Sequence, residues 1–176
     1  MILLDPDLES DTAPRSTSAT RVAVSASEKN LRLPSARTLA RFLTQAQNTV
    51  RLRGQVTVLL TTDAAIRKLN HQFRHKDKPT DVLSFPAEGS FPAEGSMPGA
   101  AAEKIAGDLA ISVPAALHQA IEQGHSLSTE IKILILHGLL HLTGHDHESD
   151  AGQMARRERQ LRAKLGLPQG LIERAE

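Results

Sequence analysis

The chain has no cysteine, no tryptophan and no tyrosine, and only four phenylalanines in 176 residues. The first absence excludes disulfides and removes thiolate from the available metal ligands, which fits a reducing compartment such as the cytoplasm. The scarcity of aromatic rings excludes a stacking platform as the main mode of any contact with nucleic-acid bases. No apolar run approaches the roughly 20 residues of a membrane span. The start, MILLDPDLES, lacks the basic beginning and longer apolar segment of an export signal. The expectation is a cytoplasmic protein with no membrane contact. An excess of charge of one sign is missing too: 21 Lys and Arg stand against 20 Asp and Glu, a formal net charge of +1. Bulk charge therefore announces no nucleic-acid binder. Locally the balance differs, because Arg67, Lys68, Arg74, Lys76 and Lys78 oppose a single acid, Asp77. Such a patch can hold phosphates even when distant acids cancel the total. It is also what an ordinary solvated helix face looks like.

Histidine is what the chain concentrates. Four of its eight histidines fall in the run HGLLHLTGHDH, from His137 to His147. His137 and His141 sit four apart in an apolar, helix-like stretch, so their rings stand on one face a turn apart. Gly144 readily turns left-handed and ends a helix. The chain can bend there and bring His147 back toward the first two rings. Three neutral imidazoles meeting at one point make a zinc site for one Zn2+ ion, and three protein ligands leave a fourth position open, the catalytic arrangement. Two plainer readings compete. A buried histidine can be a hydrogen-bonded core residue, and a closed structural zinc could take His145 or Asp146 as its fourth ligand. Structural sites usually recruit cysteine, so its absence favours the open site. Asp146 is expected to accept from a ligand imidazole and fix its tautomer. In the HExxH helix of metalloproteases a glutamate follows the first histidine as general base. Here that place is Gly138, so either zinc alone acidifies its water, toward a pKa of roughly 7, or another segment supplies the helper.

The length suits one domain with a proper core. Residues 1–18 read as a flexible extension, residues 19–168 as a single metallohydrolase domain and residues 169–176 as a tail. Arg21 to Ala26 carries a weak strand signal. Pro34 and Ser35 introduce a helix with a stripe of Leu39, Phe42, Leu43 and Ala46, running to about Asn48. Gln55 to Thr61 is β-branched and apolar, a central strand, and Thr62 or Asp63 caps a helix to about Phe73. After a basic loop, Val82 to Phe85 is a short strand stopped by Pro86. The hexamer FPAEGS then occurs twice in tandem, from Phe85 and again from Phe91, inside an expanded surface loop spanning 86–104. Gly107 to Ser112 is the partner strand, Pro114 opens a helix ending near Gly124, and Ser126 or Ser128 caps the next. That helix is apolar on nearly every side from Ile131 to Leu142, so it is expected at the centre of the domain. A last helix, from about Ser149 to Leu165, carries Arg156, Arg157, Arg159, Arg162 and Lys164. The fold class is α/β of the α+β type: a small mixed sheet packed with helices, its central buried helix carrying the metal ligands.

Two blocks, HGLLHLTGHDH and LNHQFRHKDKPTDVLSFP (Leu69 to Pro86), followed by GDLAIS from Gly107, resemble the YbeY endoribonucleases, metal-dependent bacterial RNases of ribosomal RNA maturation. The resemblance runs from about Val22 to Leu165. The N-terminal extension and the duplicated hexamer fall outside the family pattern, and His145 stands where the family commonly has a tyrosine. The resemblance implies that His137, His141 and His147 bind zinc and that Arg74 is the key basic residue facing the metal across a cleft. It implies a single-strand-specific endoribonuclease of ribosomal RNA precursors, acting in 16S rRNA 3′ end maturation and ribosome quality control. Its partners would be single-stranded RNA and the small ribosomal subunit. An arginine fork can hold two phosphoryl oxygens while the metal polarises the same group. A zinc hydrolase of peptide or amide bonds, or an assembly factor with a structural zinc, would share the same ligands.

Overall fold

The architecture is built on Ile105–Ser112, a strand whose last four residues, Leu109 to Ser112, are buried on both faces. The computed structural model describes residues 1–8, 31–87, 104–145 and 151–169. In these, Gln55–Thr61 forms β2 and Ile105–Ser112 forms β4, paired in parallel. Val82–Pro86 forms β3, antiparallel to β4, and Ile2–Leu4 forms β1, parallel to β2. The sheet order is β1-β2-β4-β3. Pro86 ends a strand paired on one side only, where a missing N–H is tolerated.

Five helices complete the described chain: α1 (Ala36–Val50), α2 (Asp63–Arg74), α3 (Val113–Gln123), α4 (Leu127–Leu142) and α5 (Gln153–Leu165). This is an α+β fold. The side chains of Ser35, Thr62, Ser112 and Ser126 each accept a backbone N–H and cap α1, α2, α3 and α4. No described helix is long and apolar enough to cross a membrane. One face of the sheet, through Val58, Leu60, Leu109 and Ile111, joins a large core with Leu39 and Phe42 of α1, Ile131 to Leu142 of α4, and Met154 and Leu161 of α5. The other face carries α2, whose Ile66 and Leu69 pack on Leu83, Ala110 and Phe85.

The chain start needs a correction. Residues 1–8 are not a loose extension: β1 pairs Ile2, Leu3 and Leu4 with Val58, Leu59 and Leu60, and Leu8 is buried in the main core. Asp5 accepts the hydroxyl of Thr61, and this bond holds its carboxyl below the usual carboxylate range. Three residues with two exposed side chains carry too little periodicity to announce a strand; their pairing with β2 decides it. The strand signal at Arg21 to Ala26, the duplicated hexamer after Ala87 and the tail from 170 lie outside the described residues.

Two close approaches fix the middle helix on the sheet. At Gly107, with φ of 149°, an added Cβ would lie 2.5 Å from the Phe85 carbonyl oxygen and 2.8 Å from Leu142. At Gly138 it would lie 2.7 Å from Leu109 Cδ2 and 3.2 Å from Ser84 Oγ, and that hydroxyl donates to the Gly138 carbonyl at 3.3 Å. Helix α4 is thus seated directly on β3 and β4, with 12 of its 16 residues buried.

Candidate metal centre

His137 and His141 lie on the last two turns of α4. Their positions follow from a helix buried on nearly every side, with His137 itself buried and His141 half-buried at its last turn. The ring centroids are 4.9 Å apart at 68°. The two Nε2 atoms converge to 3.2 Å. Two imidazole lone pairs do not face each other at that distance unless a proton or a cation lies between them. Two nitrogens on one tetrahedral zinc, each about 2.0–2.1 Å from the ion, would stand about 3.3 Å apart. The pair therefore fits a chelate without repacking.

The tautomer of His137 is set from behind. Its Nδ1 lies 3.0 Å from Glu158 Oε2, on α5. A carboxylate there accepts the Nδ1 proton and leaves the Nε2 lone pair pointing forward, the arrangement of carboxylate-backed metal histidines. Arg162, one turn further on α5, donates to the other oxygen of the same carboxylate through Nε at 3.0 Å and through Nη2. All three side chains are buried. The charges of Glu158 and Arg162 balance each other, as buried ions must. Glu158 does for His137 what the sequence suggests for Asp146, which lies outside the described residues. The signal for Glu158 is present but faint: an acid four residues before an arginine in a helix whose other charges are all basic.

A double variant tests this backing. Glu158→Gln combined with Arg162→Met removes the carboxylate without stranding a buried cation. We expect it to fold and to bind zinc roughly 10–100-fold more weakly, read by chelator competition. Wild-type affinity in the folded variant would remove Glu158 from the account.

Gly144 takes a left-handed conformation, φ 87°, and the chain turns after Thr143. His147 lies outside the described residues. Among the described residues no group of three potential ligands is assembled, and the described part of the centre is the His137–His141 pair. His145 points its Nδ1 at the Thr143 hydroxyl, 2.9 Å away, while that hydroxyl donates to the Leu140 carbonyl at 2.7 Å. This nitrogen thus ties down the turn.

Arg74 is exposed at the end of α2, just before His75 closes the helix at φ 57°. Helix α2 and the two imidazoles are on opposite faces of the sheet, yet near one end of it. Phe73 meets Phe85 edge-on at 5.0 Å, and Gly107, paired with Pro86, sits over Leu142, the neighbour of His141. Strand β3 therefore stands between Arg74 and α4, and its last residues are common to both. The loop beyond is held firmly. Arg67 makes a two-pronged bond to Asp77 at 2.7 and 2.8 Å, Asn70 donates to the Lys78 carbonyl, and Asp81 accepts from the Val82 N–H and from Gln119. The Arg67 guanidinium holds the Asp77 carboxyl below its ordinary range. Arg67 is thereby engaged, which leaves Lys68, Lys76 and Lys78 as the exposed or half-exposed ammonium groups of the segment.

The described site is an α+β domain with two convergent imidazoles on a core helix and a basic loop at the same sheet end, and comparison with known proteins gives its family. The family model for Endoribonuclease YbeY matches residues 21–166. A curated relative from Koribacter versatilis, named Endoribonuclease YbeY, is 50% identical over 147 residues, covering 84% of this chain and 88% of its own length. One of the same name from Solibacter usitatus is 49% identical over 138 residues, 78% of this chain and 84% of its own. A solution structure of a Thermotoga maritima protein overlaps with a TM-score of 0.49 at 23% identity, covering 83% of this chain and 97% of that one. The chain belongs to the YbeY endoribonuclease family.

Proposed function

We propose that the chain is a zinc-dependent, single-strand-specific endoribonuclease that matures ribosomal RNA precursors. Its target is the 3′ end of 16S rRNA, on the small ribosomal subunit in the cytoplasm, and the same activity serves ribosome quality control. The observation that carries the reading is the 3.2 Å convergence of the His137 and His141 Nε2 atoms with Glu158 behind the first ring. The family name of its relatives supplies the bond and the polymer.

His137, His141 and His147 would hold the ion. When bound, zinc supplies Lewis-acid polarisation of a phosphoryl oxygen. Glu158 keeps His137 in its ligating tautomer, and Arg74 offers a planar fork to the non-bridging oxygens as negative charge grows on them. Lys76 and Lys78 line the approach of the backbone, where each cation lowers the cost of bringing one phosphate close to another. A peptidase reading loses support at Gly138. A side chain there would enter the packed contact with Leu109 and Ser84, so it would not reach a water beside the imidazoles.

Elemental analysis of the purified protein, with cleavage assays on an unstructured RNA and on casein, tests the proposal. One zinc per chain is expected. Cleavage of RNA alone should cease with a chelator and return with zinc. Chelator-insensitive RNA cleavage, or cleavage of casein, would overturn it.

A further inference from the structure

We propose that the outer face of α1 and α5 is a second RNA surface, one that grips the phosphate backbone of a double-helical segment flanking the strand to be cut. The identity of this ligand rests on the ribonuclease reading above. The two helices touch each other and bury their apolar stripes in one core, Leu39, Phe42 and Ala46 on α1 and Met154 and Leu161 on α5. Their opposite sides therefore turn away from the sheet. On α1 that side shows Arg37 and Arg41, four apart and both exposed, and exposed Arg51 and Arg53 follow at its C-terminal end. On α5 it shows Arg156 and Arg159, with Lys164 on the flank.

Among the described residues no acid interrupts this face. From Leu31 to Thr62 the chain has five arginines and neither Asp nor Glu. From Ala151 to Gln169 the single acid is Glu158, which is buried and turned inward to His137. On the described elements that touch the two helices, the other acids are Asp5 and Asp7 at the β1 turn and buried Glu130 on α4. Ordinary solvated surfaces intersperse the two signs. With the described acids kept off it, the face bears self-repulsion among its own cations. An anionic partner relieves it.

The chemistry selects phosphate esters over bases. Arginine forks match phosphate oxygens, and Phe42, the one aromatic ring on these helices, is buried with Lys132 above it. A surface of cations without rings suits the RNA double helix, which is recognised through its backbone and shape. The inner side of α5 touches His137 through Glu158, so the outer side lies about 10 Å, one helix width, from the metal helix. A duplex held there brings its single-stranded extension toward the imidazoles.

The test uses the full chain in chelator, so that nothing is cut, with a hairpin RNA bearing a single-stranded extension and with the extension alone. Binding is read by fluorescence anisotropy across a salt series. The wild-type protein should bind the hairpin RNA at least about 10-fold tighter than the extension. The variant R37Q/R41Q/R156Q/R159Q, with an unchanged Tm, should lose that preference. The slope of its log affinity against log salt should fall by about 0.9 for each phosphate that the variant no longer neutralises. With zinc restored it should cut the extension alone at the wild-type rate. Wild-type hairpin affinity in the variant overturns the proposal. So does a variant that keeps its RNA affinity and loses binding to polyglutamate, which would assign the face to an acidic protein. If the wild type cuts neither RNA with zinc present, the ribonuclease reading fails, and the binding arm still decides whether the face takes RNA.

Discussion

Replacing His141 by alanine should abolish zinc retention and RNA cleavage together, whereas Arg74→Ala should keep the zinc and lose the cleavage. The first expectation follows from the chelate. With His141 gone, one nitrogen of the converging pair remains, and the loss must exceed the roughly 10–100-fold that removing an outer-shell partner costs. The second follows from position. Arg74 stands on the far side of β3 from the imidazoles, where it can meet substrate without being needed for the ion. Its loss should cut the rate by roughly 10²–10³, as removal of one preorganised charge-stabilising donor does. Zinc content by elemental analysis and turnover on an unstructured RNA, measured on both variants, separate the two effects. Full cleavage by Arg74→Ala would remove that residue from the mechanism. Zinc retained at wild-type affinity by His141→Ala would remove the metal centre.

The second large effect concerns stability. Gly138→Glu would write the protease pattern into α4, and the expected outcome is a protein that does not fold. A Cβ at 138 already comes within 2.7 Å of Leu109, which is 1% exposed. A carboxylate pushed between Leu109 and Ser84 would be buried without a cation, a cost of several kcal/mol that rivals the total stability of a domain, about 5–15 kcal/mol. Gly138→Ala sets the lower bound. Overpacking of about 1–3 kcal/mol is offset by up to about 1 kcal/mol of helix propensity. Circular dichroism melts should show a Tm lower by a few degrees. A folded Gly138→Glu protein with peptidase activity would mean that position 138 faces the site after all.

Much of this was legible in the sequence because the signals were local. The stripe Leu39, Phe42, Leu43 and Ala46 marked α1, the run QVTVLLT marked β2, and Ser126 capped α4 as a serine before an apolar helix should. The i, i+4 spacing of His137 and His141 placed both rings on one face, and the structure shows their nitrogens converging. What escaped was non-local. Strand β1 is three residues whose only reason to be extended is β2, fifty residues and more away. Glu158 reaches His137 across 21 positions, and nothing in the spacing of a surface helix tells which of its charges turns inward. The seating of Gly138 on Leu109 and Ser84 depends on how closely a helix approaches a sheet, a distance that no single segment encodes.

The bond between His137 and Glu158 ties α4 to α5, and the stretch that bears His147 runs between those two anchored helices. The bond holds the buried ring of His137 and the buried carboxylate of Glu158 as one unit across the two helices. His147→Ala should therefore weaken zinc less than loss of either ring on the helix, because the converging pair and the carboxylate behind it remain in place.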